Sequence, residues 1–401
     1  MAGNADVEVV VAGGGPVGLA AALLLARAGV TVAVLEQEAA IGRDLRASTF
    51  HPPTLDMLDQ LGLGRDLVAQ GIPCPHWQIR LHPSGNRAVF DLGVLAAKTR
   101  HPYRLQCEQW KLAVALSAAL AAEPRARVVF GSRVAAVVQD DASVAVSVET
   151  ARGTEQWRAR FLIGADGARS TVRGAIGITF EGETYPETTL LVTTSVQFNE
   201  HLEGLSNVSY CWKDGGNFAL LRVPGRWRVS IYPREDVPVE DQLTGDAVEA
   251  ALQAIVPRPA RYDVIEKRPY RVHQRIVPRY GVGRVWLAGD AAHLNSPTGG
   301  MGLNGGIHDA FELSAALVDV LRNGAAPERL ALYDRRRRPV AAEQILAQSD
   351  RNRARMRERD PGKRAEILAG LQALTRDRDK LHAYMLKTSM IEGLAQAAAI
   401  T

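Results

Sequence analysis

Three glycine-bearing segments hold the residue types and spacings that could do chemistry. The first is Gly13-x-Gly15-x-x-Gly18, with Pro16 and Val17 inside it. Glycines at that spacing permit a tight turn and close backbone approach to a pyrophosphate. A helix N-terminus behind them offers free N–H groups and positive dipole to phosphates. Glu36, with Gln37 after it, ends the next apolar run, where a carboxylate can hold a ribose hydroxyl. The second segment is Gly164-Ala165-Asp166-Gly167; an acid at a strand end can meet a nucleotide, or the segment is a plain β-turn. The third runs from Gly289-Asp290-Ala291-Ala292-His293 through Pro297, Gly299, Gly300, Gly302 and Leu303 to Asn304. It ends in a helix N-terminus that would favour negative charge on a bound group.

Each segment needs elements to place it. Residues 7–12 (VEVVVA) predict a buried parallel strand, LAAALLLARAG a helix ended at Gly29, and VTVAVLE (30–36) a second strand. Thr188 to Pro233 holds successive β-patterned runs with turn signals at Asp214-Gly215-Gly216 and Pro224-Gly225, which predicts a mostly antiparallel sheet. A helix is expected from about Gly302 to Leu321. From Glu328 the chain reads as helical, with Pro339 and Pro361 as breaks.

Composition narrows the class. The 401 residues are 46% hydrophobic, ordinary for a globular protein, and long enough for two or three domains. The net charge of +4 is uneven: residues 328–380 hold fifteen Lys/Arg against nine Asp/Glu, so the rest is slightly acidic. That argues against a nucleic-acid-binding body. Three scattered cysteines suit neither a disulfide framework nor a thiolate metal site, and no His/Cys/Asp/Glu set has metal-ligand spacing. With neither a transmembrane run nor a signal-like start, a reduced cytoplasmic location is expected.

The three segments in this order, with Arg46-Ala47, His51-Pro52-Pro53-Thr54-Leu55, Arg104-Leu105-Gln106 and Tyr333-x-x-x-Arg337-Arg338-Pro339, resemble the single-component FAD-dependent aromatic hydroxylases, the p-hydroxybenzoate hydroxylase-like monooxygenases. The resemblance implies an α/β fold. A Rossmann-like FAD-binding domain (1–72, 101–178, 270–325) would carry an inserted β-sheet substrate domain (73–100, 179–269) and a C-terminal helical region (326–401). It also implies roles. Gly13, Gly15, Gly18 and Glu36 would hold the ADP half of FAD, and Arg46 would lie along the flavin and help with the nicotinamide nucleotide. Gln106 would contact the ribityl or pyrophosphate part, Asp166 would serve both FAD and NAD(P)H, and Asp290 the ribityl chain. Pro297, Gly299, Gly300, Gly302, Leu303 and Asn304 would lie against the isoalloxazine. The implied chemistry is reduction of FAD by NAD(P)H, addition of O₂ at C4a, and transfer of OH from the hydroperoxide to a phenolic or heteroaromatic ring.

For the substrate, one face of the middle sheet offers Tyr210, Trp212, Arg222 and Tyr232. Arg222 could clamp a carboxylate or point away in an alternating strand. His51 could accept a phenol proton or simply pack. No cation follows Glu36 (Gln37-Glu38-Ala39), which leans the donor to NADH. Alternatives are a monooxygenase or epoxidase acting on a quinone precursor or other natural-product intermediate, and a non-enzymatic flavoprotein using its basic C-terminal helices to bind a partner. The resemblance makes those helices a cover over the flavin domain, with a homodimer contact possible.

Overall fold

The computed structural model describes residues 7–43, 47–233 and 237–401. Its first sheet grows from the opening strand Val7–Ala12, all four of whose last residues are buried. That strand pairs in parallel with Val32–Leu35 on one side and with Gly153–Gly164 on the other. Val285–Leu287 and Ala126–Val129 extend the parallel order outward. The run of β-branched residues fits, because a parallel sheet is covered on both faces. Helix Pro16–Arg27 supplies one cover, and helix Gly302–Arg322 packs on it. Gly29 follows the first helix with φ +83°, the left-handed conformation that lets the chain turn into the next strand.

The second sheet is mostly antiparallel. It contains His76–Leu81 and Arg87–Asp91 as well as the strands between Glu181 and Ile276. One pairing is parallel, Val208–Lys213 with His76–Leu81, because the intervening chain detours through the first sheet. Period-two alternation gives the sheet two different faces. Phe218, Leu220, Trp227 and Val229 pack on one side with Val248 and Leu252 of helix Gly245–Gln253. Trp77, Ile79, Val208 and Trp212 pack on the other with Leu368, Leu381 and Met385 of the C-terminal helices.

The C-terminal region differs from expectation twice. Pro339 does not break its helix: Arg329–Val340 runs on as a π-helical segment, Ala341–Leu346, and then as helix Ala347–Arg357. A proline lacks the N–H and crowds the preceding turn, and a widened turn is a known way to carry the chain past such a defect. The real interruption lies before Pro361, where the Asp360 side chain caps the next helix by accepting from the Lys363 N–H at 2.7 Å. Second, these helices cover the antiparallel sheet as well as the flavin side. Several arginines are interior: Arg364 is 5% exposed and donates to the carbonyls of Lys213 and Gly216, and Arg337 is 1% exposed.

Candidate active site

The fold brings the three glycine segments to one place, and the glycines mark where they touch. Gly13 has φ +102°, and a Cβ there would strike the Ala165 carbonyl of the second segment. Gly289, at φ +60°, and Gly306 both face Val17, so the third segment also closes on the first. A Cβ on Gly18 would strike the Gly13 carbonyl, which holds the first helix tight against its turn. Gly15 is different. Its φ of −72° suits any residue, and a Cβ there would meet open space. It caps a helix with no side-chain cap and no acid in its first turn. An uncapped helix end with room above a glycine is the geometry a pyrophosphate takes. Beside it the Glu36 carboxylate accepts from the Gly14 N–H at 2.5 Å and the Glu38 N–H at 2.9 Å, while Gln37 is exposed. These residues fit FAD.

Asp166 braces the second segment, accepting from the Ser170 hydroxyl at 2.6 Å and the Val172 N–H at 3.1 Å. In the third segment Asp290 is exposed at the end of the strand. The loop after it reaches helix Gly302–Arg322, which starts at Met301 without a side-chain cap, so its first N–H groups face outward. Gly299 and Gly300 hold φ of +111° and +67°, which bend the loop over residues 49–51. Asn304, fully buried, staples that bend. Its amide donates to the carbonyls of Thr49 (2.9 Å) and Gly300 (2.7 Å), and its oxygen accepts from the His51 N–H (2.8 Å). Gln106 holds the same segment from behind through Thr49 and Ser48, and Arg228 reaches Ser48 at 2.8 Å. Arg46 lies outside the described residues.

A buried ion cluster supports the third segment. Asp309 accepts from the Gly289 N–H, from His293 Nε2 at 2.8 Å and from Arg337 Nε at 2.8 Å. Burial would raise its pKa, but His293 and Arg337 together hold it below the usual carboxylate range. Tyr333 donates to the Leu287 carbonyl at 2.7 Å, one residue short of the loop. The Tyr-x-x-x-Arg pattern is therefore a brace under the Gly289-Asp290 turn.

Two cavities adjoin the loop and share Thr298 and Met356 as a wall. The first is lined by Trp77, Ile79, Arg104, Tyr210, Met301, Asn352, Arg355, Tyr384 and their neighbours. The second is lined by Thr189, Asn217, Tyr232, Pro297, Arg353, Arg357 and Arg359 among others. Among the described residues, neither lining contains Asp or Glu. The arginine surplus read as a helical cover thus partly faces these chambers.

Of the expected substrate residues, Tyr210 lines the first cavity and Tyr232 the second; burial pushes the Tyr232 phenol pKa up, so it stays neutral. Trp212 lies on the same face as Tyr210, one step further along the strand. It is fully buried in the core, with its indole N–H on the Arg355 carbonyl at 3.3 Å. Arg222 follows Phe218 and Leu220 at even spacing. It therefore falls on the opposite face, beside Trp227 and Gln197, away from both cavities. His51 has no exposed surface. Its Nε2 meets the Gly299 carbonyl at 2.8 Å, which fixes the proton on Nε2, and burial drives its pKa down to about 3. It is a neutral prop for the flavin-side loop.

Sequence pattern assigns no substrate role to Arg104 or Thr298, which lie within motif segments, nor to Asn352, Arg355, Met356 and Tyr384. Arg104 was visible as a lone cation in a short apolar strand; the helical residues carry no local signal. The fold also gathers Asp56, Asp59 and His101, which no spacing announced, and there the His101 ring nitrogens meet Asp59 and Tyr103. All three cysteines are buried and unpaired, with thiols pushed up to about 12. Among the described residues, no helix is long and apolar enough to cross a membrane.

A family model described as an FAD binding domain matches residues 6–349. The para-nitrophenol 4-monooxygenase of Pseudomonas sp. (strain WBC-3) is 37% identical over 391 residues, 96% of each chain. The 6-hydroxy-3-succinoylpyridine 3-monooxygenase of Pseudomonas putida is 32% identical over 376 residues, 93% of this chain and 95% of its own. The crystal structure of a p-nitrophenol 4-monooxygenase from Pseudomonas putida superimposes with a TM-score of 0.90 at 34% identity, covering 98% of this chain and 99% of that one. With its motifs converging on one FAD-shaped cradle, the chain belongs to the FAD-binding family of single-component aromatic-ring monooxygenases.

Proposed function

We propose that the chain hydroxylates a single-ring phenol or hydroxylated heteroaromatic, with O₂ and a nicotinamide nucleotide, in the first cavity, beside residues 298–301. The observation that carries this is that cavity's enclosure by Trp77, Ile79, Tyr210, Met301 and Tyr384 directly against the flavin loop. The near full-length likeness to a para-nitrophenol 4-monooxygenase makes 4-nitrophenol the first compound to try.

In this reading Gly13, Gly15, Gly18 and Glu36 hold the ADP half of FAD. Asp290 and Gln106 serve its middle, and the loop from Pro297 with the helix end at Gly302–Asn304 serves its ring. Bound and reduced, FAD supplies the activation of O₂. The protein's own part is to orient the ring and keep water away, which the apolar walls support. His51 and Asn304 fix the loop. NADH as the donor is part of this reading, resting on the missing cation after Glu36.

A panel of phenols and hydroxypyridines tests it, recording nucleotide oxidation, peroxide release and product mass together. A product one oxygen heavier, or carrying oxygen in place of a ring substituent, supports the reading. Nucleotide oxidation that yields only peroxide with every compound counts against it. Michaelis constants for NADH and NADPH decide the donor.

A further inference from the structure

Arg104 is 3% exposed, at the start of the short strand Arg104–Gln106. Its side chain lines the first cavity. A buried charge normally has a counter-charge, because desolvation is costly unless an opposite charge compensates it. Among the described residues Arg104 has no carboxylate partner. It lies over the Trp77 ring, 4.9 Å from the centroid, with the Tyr210 hydroxyl as a neighbour. Its Nε–H is buried without an acceptor. Among the described residues the other cation lining this cavity is Arg355, whose guanidinium donates to the Tyr384 hydroxyl at 3.3 Å. An aromatic wall, a guanidinium whose Nε–H has no acceptor, and no acid on the lining among the described residues make a chamber suited to an anion.

We infer that Arg104 is the specificity-determining residue of this chamber, and that its guanidinium receives a negatively charged oxygen on the aromatic substrate. The inference rests on the functional reading above and narrows it: neutral rings of the same shape bind more weakly than the anion, because they gain no charge contact with the guanidinium. Arg222, the arginine that the strand pattern first offers for this role, lies on the other face of the sheet. Trp77 stacks on Phe90 with ring centroids 4.0 Å apart. It thus gives Arg104 a fixed platform, so the anion is placed as well as attracted.

The test is equilibrium dialysis of the FAD-loaded enzyme, without nucleotide, against two probes of nearly equal shape. One is 4-nitrophenol at a pH where it is ionised, and the other is neutral 4-nitroaniline. The wild type is expected to prefer the anion by about 30-fold or more, the scale for a buried charge contact. R104M keeps the packing on Trp77 and is expected to lose that preference while binding nitroaniline within about threefold of wild type. R104K, which keeps the charge but not the planar fork, should keep part of the preference. FAD content and thermal melting of each variant report whether it folds. If R104M does not fold, the wild-type preference and the R104K result still decide. Equal binding of the two probes by the wild type, or an undiminished preference in a folded R104M, overturns the inference alone. If neither probe binds and no phenol is turned over, the functional reading falls with it.

Discussion

Gly15→Ala separates what the polypeptide needs from what its ligand needs. Gly15 is the one glycine of the first motif whose Cβ would meet nothing, and its φ of −72° is open to alanine. The polypeptide alone gives no reason for a glycine there. Losing glycine at a helix N-cap costs up to about 1 kcal/mol, while the lower entropy of the unfolded alanine chain returns about 0.4–1 kcal/mol. Apo stability should therefore change by less than about 1 kcal/mol. If a pyrophosphate sits on the N–H groups at this helix end, an added methyl occupies its space. Loss of two charge-assisted hydrogen bonds, at about 1.5 kcal/mol each, comes to about 3 kcal/mol, more than 100-fold in the FAD dissociation constant. Gly18→Ala is the control. There the Cβ strikes the Gly13 carbonyl, so the apo fold itself should weaken. Urea unfolding of the apo proteins and FAD titration by flavin fluorescence quenching read the two effects separately. Wild-type FAD affinity in G15A would refute the placement of the pyrophosphate. An apo destabilisation above about 2 kcal/mol would refute the open space over Gly15.

Three further outcomes are expected. R337M leaves Asp309 buried with only His293 and the Gly289 N–H, and should cost about 3–5 kcal/mol in denaturant unfolding; D309N/R337M should cost less than the sum of its singles, and additive costs would show that the brace is not a unit. His51 is held neutral far below its ordinary pKa near 6.5, down to about 3. Its contribution to stability is thus complete above pH 6.5 and falls by about 1.4 kcal/mol per unit as pH drops from there toward 3. H51Q should flatten that slope, and the activity profile between pH 7 and 9 should show no inflection from His51; an unchanged acid slope in H51Q would contradict its burial. M356A removes part of the wall between the cavities at about 2–5 kcal/mol of stability and should admit two-ring phenols that wild type rejects, measured as product formation from 2-naphthol.

Much of the flavin side was legible early, because glycine spacing, a strand before it and a helix after it are local features. Gly13, Gly18, Gly289 and Gly300 each answer to a contact or a positive φ that only glycine meets well. The substrate side was not legible in the same way. Arg222 and Tyr210 look alike as candidates on neighbouring strands. Their fates were set by strand parity and by which face the C-terminal helices cover. Asn352, Arg355 and Met356 sit on a helix whose pattern gives no hint of a cavity, some 250 residues from Arg104.

The sequence by itself determined the parallel flavin-binding unit, the order of its three motifs and a basic C-terminal region. Those follow from short-range periodicity and turn chemistry, which act over a few residues. Only the tertiary structure decided that the arginine-rich helix lines the chambers, that His51 is a buried prop, and that Arg104 lines the cavity with no carboxylate partner among the described residues. Burial and charge pairing depend on neighbours from distant segments, so a residue's type and local spacing cannot fix them.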